Sequence, residues 1–201
     1  MRKIICIGRQ FGSGGHLIAK EFARKVGITY YDKKILKQAA EISGIDEKIL
    51  EKAEEKTANP LLHSIYYQGS SKEYFGKNAN DILFQVQKNI VLDWAQKEDC
   101  VIVGRCADVI LKENTDYAVK SIFMAAPMEY RIHNTMEIDG LSEKKAASRI
   151  RKADKKRSAY YNFYTGHDWG KISDYDLCIN TAEAEEEEIV NLLEYIYQSM
   201  K

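Results

Sequence analysis

No stretch of the 201-residue chain approaches the ~20 consecutive apolar residues a membrane span needs, and the apolar run Ile4 to Ile7, behind Arg2 and Lys3, is too short for a signal peptide. An excess of one charge is missing too. Thirty basic and thirty acidic residues cancel, so no long-range field draws in nucleic acid polymers or an anionic membrane. A cytoplasmic protein with small-molecule partners is expected, its basic chemistry local. Proline is scarce, with two in the chain, while 45% of residues are apolar, which excludes a disordered chain and favours helix. The four cysteines, Cys6, Cys100, Cys106 and Cys178, show no CxxC spacing, and three lie in or beside apolar runs; buried reduced thiols are expected, and no metal site.

Five short segments rich in β-branched residues are present: "KIICIG" (3–8), "ITYYD" (28–32), "CVIVGR" (100–105), "VKSIFMA" (119–125) and "DLCINT" (176–181). Each is nearly continuously apolar rather than alternating, as strands buried on both faces of a parallel sheet are. Between them, Ile18, Phe22 and Val26, then Ile82, Val86, Ile90 and Trp94, recur at helical spacing. This alternation predicts an α/β doubly wound fold, and the length suits a single domain over 1–201. Two stretches break the pattern. Residues 54–80, with Pro60, Gly69 and Gly76, read as an excursion of loops and short helices, and 158–175, "SAYYNFYTGHDWGKISDY", is dense in aromatics and lacks a helical stripe. The run "EAEEEE" (183–188) reads as the first turns of a helix, with Asn180 and Glu183 spaced as a capping box.

The chemistry lies in "GRQFGSGGH", residues 8–16, between the first strand and an amphipathic helix. Glycines let several amides point at one anion, and a helix N-terminus adds partial positive charge. Gly8, Gly12, Ser13, Gly14, Gly15 and His16 are therefore the candidate phosphate cradle. Packing turns and dinucleotide-binding loops share this look. A loop of the form GxxxxGK[ST] would have a glycine at position 9 and a lysine at 15, where this chain has Arg9 and Gly15. A lost charge-assisted contact costs about 1.5–3 kcal/mol, roughly 10- to 150-fold, unless Arg9, His16 or another cation replaces it. Arg105 at the end of the third strand, Arg131 after the fourth, and Arg151, Asp154 and Arg157 at three-residue intervals are the other charged candidates, with salt-bridged or solvated roles as the plain alternative.

Taken together, the loop, "GITYYDKKIL", "VIVGR", "APMEYRI" and "RIRKADKKRSAYYNFYTGHDWG…YDLCINT" resemble the cytidylate kinase-like proteins, a branch of the nucleoside monophosphate kinases, across Ile5 to Thr181. The resemblance implies a three-layer P-loop NTPase fold with a five-stranded parallel sheet. Its core would lie at about 1–53, 81–130 and 174–201, with a helical acceptor-side insert at about 54–80 and a lid at about 131–173. It implies ATP with Mg²⁺ as the donor, and nucleotides as the small-molecule partners. Arg9, Arg131, Arg151 and Arg157, with Asp154, would serve the transferred charge; Asp32, Arg105 and Gln87 would meet the acceptor. The chain departs from the family where GSGKGT becomes Gly12-Ser13-Gly14-Gly15-His16-Leu17, and where the aspartate of a GRD motif becomes Cys106. A catalytically degenerate nucleotide-binding or sensing protein is the alternative.

Overall fold

The computed structural model describes residues 1–32, 35–43, 45, 76, 78–112 and 114–201, so most of the expected insert at 54–80 lies outside the described residues. Five strands, β1 (Arg2–Arg9), β2 (Thr29–Tyr31), β3 (Cys100–Val103), β4 (Tyr117–Ala125) and β5 (Leu177–Asn180), form one sheet in the order β2-β3-β1-β4-β5. Every pairing is parallel, with Ile5 opposite Val101 on one side and Lys120 on the other.

Continuous apolarity in the strands follows from cover on both faces. Ile4, Cys6, Cys100 and Ile102 point to one core, packed by α2 (Ile35–Ser43), α3 (Ala79–Lys97) and α4 (Ala107–Lys112) through Ile35, Leu83, Val86, Ile90, Trp94 and Leu111. Their neighbours Ile5, Ile7, Val101 and Val103 point to the other, closed by Ile18 and Phe22 of α1 (Gly15–Val26) and by Ile189 and Leu193 of α7 (Glu186–Ser199). The result is three layers, with the loop of interest at the carboxyl edge of the central strand.

Two expectations are corrected. The segment 158–165 is helical, the last turns of α6 (Glu143–Thr165), which follows α5 (Met128–Asp139). Its stripe is hidden because consecutive aromatics serve different neighbours: the Tyr160 hydroxyl donates to Gln87, Tyr161 to Asp108 and Tyr164 to Asp81, while Phe163 is exposed. The capping box is formed by Glu185 and Glu188, not by Asn180 and Glu183. Asn180 instead accepts the Ala182 amide in the turn leaving β5. As expected, all four cysteines are free thiols, and Cys6, Cys100 and Cys106 are buried.

Candidate functional site

The loop between β1 and α1 is built by its own backbone and by three neighbouring elements. The Gln10 amide donates to the Met124 carbonyl, and the Gln10 side chain accepts the Ala126 amide. Ser13 is fully buried; its hydroxyl donates to the Gln10 carbonyl, so it braces the loop from inside. From the end of β5 the Thr181 hydroxyl donates to the Ser13 carbonyl at 2.6 Å. Gly12 and Gly14 sit at φ 79° and 78°, left-handed conformations that favour glycine. Among the described residues no acceptor engages the amides of Gly12, Gly14 or His16, which leaves them to an outside anion. Gly8 belongs to the strand rather than the cradle: a Cβ there would lie 2.7 Å from the Phe123 ring.

Gly15 explains the missing lysine. A Cβ at this position would come to 3.0 Å from Met124 and 3.1 Å from the Arg9 Cβ, tighter than ordinary contact. Restoring the customary residue by Gly15→Lys is therefore expected to weaken pyrophosphate binding by about tenfold rather than strengthen it, because it shifts the loop against β4. Calorimetric titration checks this; tighter binding in Gly15→Lys would show that the packing yields.

Arg9 packs its Cβ against Gly15 and carries a cation elsewhere. Its side chain, 18% exposed, leaves the end of β1 and lies against Gly104, with Nη2 3.5 Å from Asp32 Oδ1. Its Nε is buried without a hydrogen-bond partner among the described residues. Burial, then repulsion by Arg157 and Arg105, pulls the guanidinium down to about 9, although Asp32 and Tyr30 work the other way. Burial also lowers Arg157, aided by Arg105 and opposed by Asp154 and Asp32, and its Nη1 donates to the Arg9 carbonyl at 3.0 Å. Burial alone would raise Asp32, but hydrogen bonding to His16 and the charges of Arg9, His16 and Arg105 outweigh it and hold the carboxyl below its usual range. His16 Nδ1 lies 3.0 Å from Asp32 Oδ2 and 2.6 Å from the Tyr30 hydroxyl. The structure thus brings together Arg9, His16, Asp32, Arg105 and Arg157 beside the loop.

Arg105 is held there by strain. Gly104, Arg105 and Cys106 have φ of 75°, 62° and 56°, three consecutive left-handed residues of which two carry side chains. Such conformations persist only where surrounding structure imposes them, and they concentrate at functional sites.

Other expected residues stand elsewhere. Arg131 is buried in α5, ion-paired with Asp154 of α6, and donates to the Phe11 carbonyl. Arg151 is exposed, and the charges bearing on Arg9 and Arg157 do not include it. At 100° per residue, three-residue steps drift by about 60° each, so Arg151 and Arg157 face about 120° apart on one helix. Gln87 is buried and accepts from Tyr160, while its Nε2 has no partner among the described residues. The sequence reading missed Phe11, whose ring lies 5.4 Å from the Arg149 guanidinium and 5.6 Å from that of Arg157, a cation–π arrangement. An aromatic inside a glycine loop was the available signal. Among the described residues no cluster of His, Cys, Asp or Glu is arranged to hold a metal, and no helix is long and apolar enough to cross a membrane.

Comparison with known proteins places this geometry among relatives. The model of the cytidylate kinase-like family matches residues 4–183. A cytidylate kinase from Methanopyrus kandleri is 25% identical over 197 residues, covering 94% of this chain and 90% of its own. An uncharacterized protein from Eubacterium ventriosum, of known crystal structure, is 30% identical with a TM-score of 0.71, covering 98% of this chain and 99% of its own. A shikimate kinase from Bacteroides thetaiotaomicron shares the fold at 14% identity and a TM-score of 0.55, over 97% of this chain and 98% of its own. The three-layer parallel sheet is the P-loop NTPase fold.

Proposed function

The chain belongs to the cytidylate kinase-like family, and from that premise we propose that it is a nucleotide-dependent phosphotransferase, passing the γ-phosphoryl group of ATP to a nucleoside monophosphate or another small acceptor. The observation that carries the reading is Arg9: a largely buried guanidinium whose Nε has no partner among the described residues, close to unengaged loop amides, is the environment a polyphosphate completes.

When bound, ATP with its Mg²⁺ would supply the transferable phosphoryl group; His16, rather than a hydroxyl residue, directly follows the glycines, so this chain would hold the nucleotide through its phosphates. The amides of Gly12, Gly14 and His16 hold donor phosphate oxygens. Arg9 and Arg157 offset charge that spreads over the phosphoryl oxygens, the task usually shared with a loop lysine. Asp32 and Arg105, at the carboxyl ends of β2 and β3, position the acceptor, and His16 fixes the orientation of Asp32 through Nδ1. Gln87, whose Nε2 on α3 has no partner among the described residues, offers a donor to an acceptor base. Positioning and charge complementarity carry the chemistry, so no side-chain base is required.

Purified full-length protein with Mg·ATP and a panel of nucleoside monophosphates is expected to release ADP above background. Calorimetric nucleotide binding with no turnover across the panel would favour the sensing alternative. Absence of any binding would overturn both.

A further inference from the structure

Four contacts join the helices at 128–165 to the phosphate loop from outside. Asp154 Oδ1 accepts the Phe11 amide at 2.8 Å. Arg131, held by the other oxygen of Asp154, donates to the Phe11 carbonyl at 3.3 Å. Asn134 Nδ2 donates to the Gly12 carbonyl at 3.2 Å, and Arg157 donates to the Arg9 carbonyl. Around them the Phe11 ring lies between Arg149 and Arg157. Every loop residue from 9 to 12 is thus tied by at least one polar group on α5, α6, β4 or the segment after it. Asp154 is the centre of this bracket, since one carboxylate serves both the loop amide and the arginine that serves the loop carbonyl.

We infer that Asp154 is a positioning residue for the donor-phosphate loop: with Arg131 it fixes Phe11, and through Phe11 it sets the direction of the amides at 12 to 16. This rests on the phosphotransferase reading and assigns the pair a task other than facing the transferred group. The ion pair with Arg131 uses that arginine's charge within the protein, leaving Arg9 and Arg157 to the phosphates. It also makes α6 part of the loop's foundation, so displacing the helix by more than a hydrogen-bond length dismantles the cradle.

The sign of one effect separates positioning from electrostatics. Deleting a carboxylate beside an anion site removes repulsion and, were charge its whole contribution, would tighten anion binding. Positioning demands the opposite. In the full chain, with inorganic pyrophosphate as the calorimetric probe, Asp154→Ala is expected to bind roughly tenfold or more weakly, the scale of a lost hydrogen bond to a charged group. Asp154→Asn, which keeps an oxygen for the Phe11 amide, is expected to recover part of that loss. Hydrogen exchange without ligand should quicken across residues 10–15 in both variants. Pyrophosphate binding in Asp154→Ala as tight as in the parent, or tighter, overturns the inference, as does unchanged loop exchange. Should Asp154→Ala not fold, Asp154→Asn decides on the same two readouts, parent-like values in both overturning it. A parent protein that binds no pyrophosphate refutes the phosphotransferase reading instead, and the exchange comparison still decides the role of Asp154.

Discussion

Arg9→Ala is expected to weaken binding of ATP and pyrophosphate by roughly 10- to 150-fold, the equivalent of about 1.5–3 kcal/mol for one charge-assisted contact. His16→Ala is expected to cost little, since the imidazole is half-exposed and its Nδ1 is occupied by Asp32 and Tyr30, while the backbone amide survives the change. The reverse order in calorimetric titrations would transfer the role to His16. Arg9 also makes binding pH-dependent. Its folded value of about 9 lies well below the ordinary guanidinium range, so without an anion the charged form is disfavoured in the fold. That penalty, on the order of a few kcal/mol, is present in full below pH 9. It is relieved as pH rises above about 9 toward the ordinary guanidinium range, where the unfolded chain holds the extra proton. An anion prefers the protonated form, so affinity for sulfate, which does not titrate in this range, is expected to be level near neutrality and to fall as pH passes about 9. In Arg9→Ala this slope should disappear.

Gly12→Ala is expected to abolish pyrophosphate binding and to lower the unfolding temperature by roughly 5–10 °C, from about 3 kcal/mol of combined strain and overlap. The methyl group would meet the Arg131 carbonyl oxygen at 2.7 Å and the Thr135 hydroxyl at 2.8 Å, and those two atoms are bonded to each other and cannot easily part. Gly14→Ala provides the contrast. It shares a φ near 78°, but the nearest atom to its Cβ is Ile18 Cδ1 at 3.9 Å, so only the backbone term of about 1–2 kcal/mol applies. Thermal denaturation of the pair separates overlap from strain, and equal losses would show that the contact with α5 is relieved elsewhere.

How far the sequence foretold these features depended on whether each was written in one segment or in several. The strands were legible because burial on both faces removes polar residues from a short window, as in "CVIV". The glycine loop was legible because its backbone demands a residue type. The role of Arg131 was not. Its partner Asp154 lies 23 positions away, and the contact depends on how α5 packs against α6. Arg151 and Arg157 looked equivalent because three-residue spacing approximates one helix face only over a turn. The helix through Tyr160, Tyr161 and Tyr164 gave no stripe because its hydroxyls answer two elements, Tyr160 and Tyr164 reaching α3 and Tyr161 reaching α4. Arg9, by contrast, was a candidate from the motif's own defect, a cation missing at one position and present at another, and the structure sets it beside Asp32 and Arg157.

Unequal burial of the thiols gives the native polypeptide a built-in attachment point. Cys6 and Cys106 are held protonated by burial, and Cys100 is pushed up to about 12 by the same cause. Cys178 is partly open to solvent. A maleimide dye added to the untouched chain would settle on β5, three residues before the threonine that anchors Ser13, and would report on phosphate-loop ordering by fluorescence without any engineered cysteine.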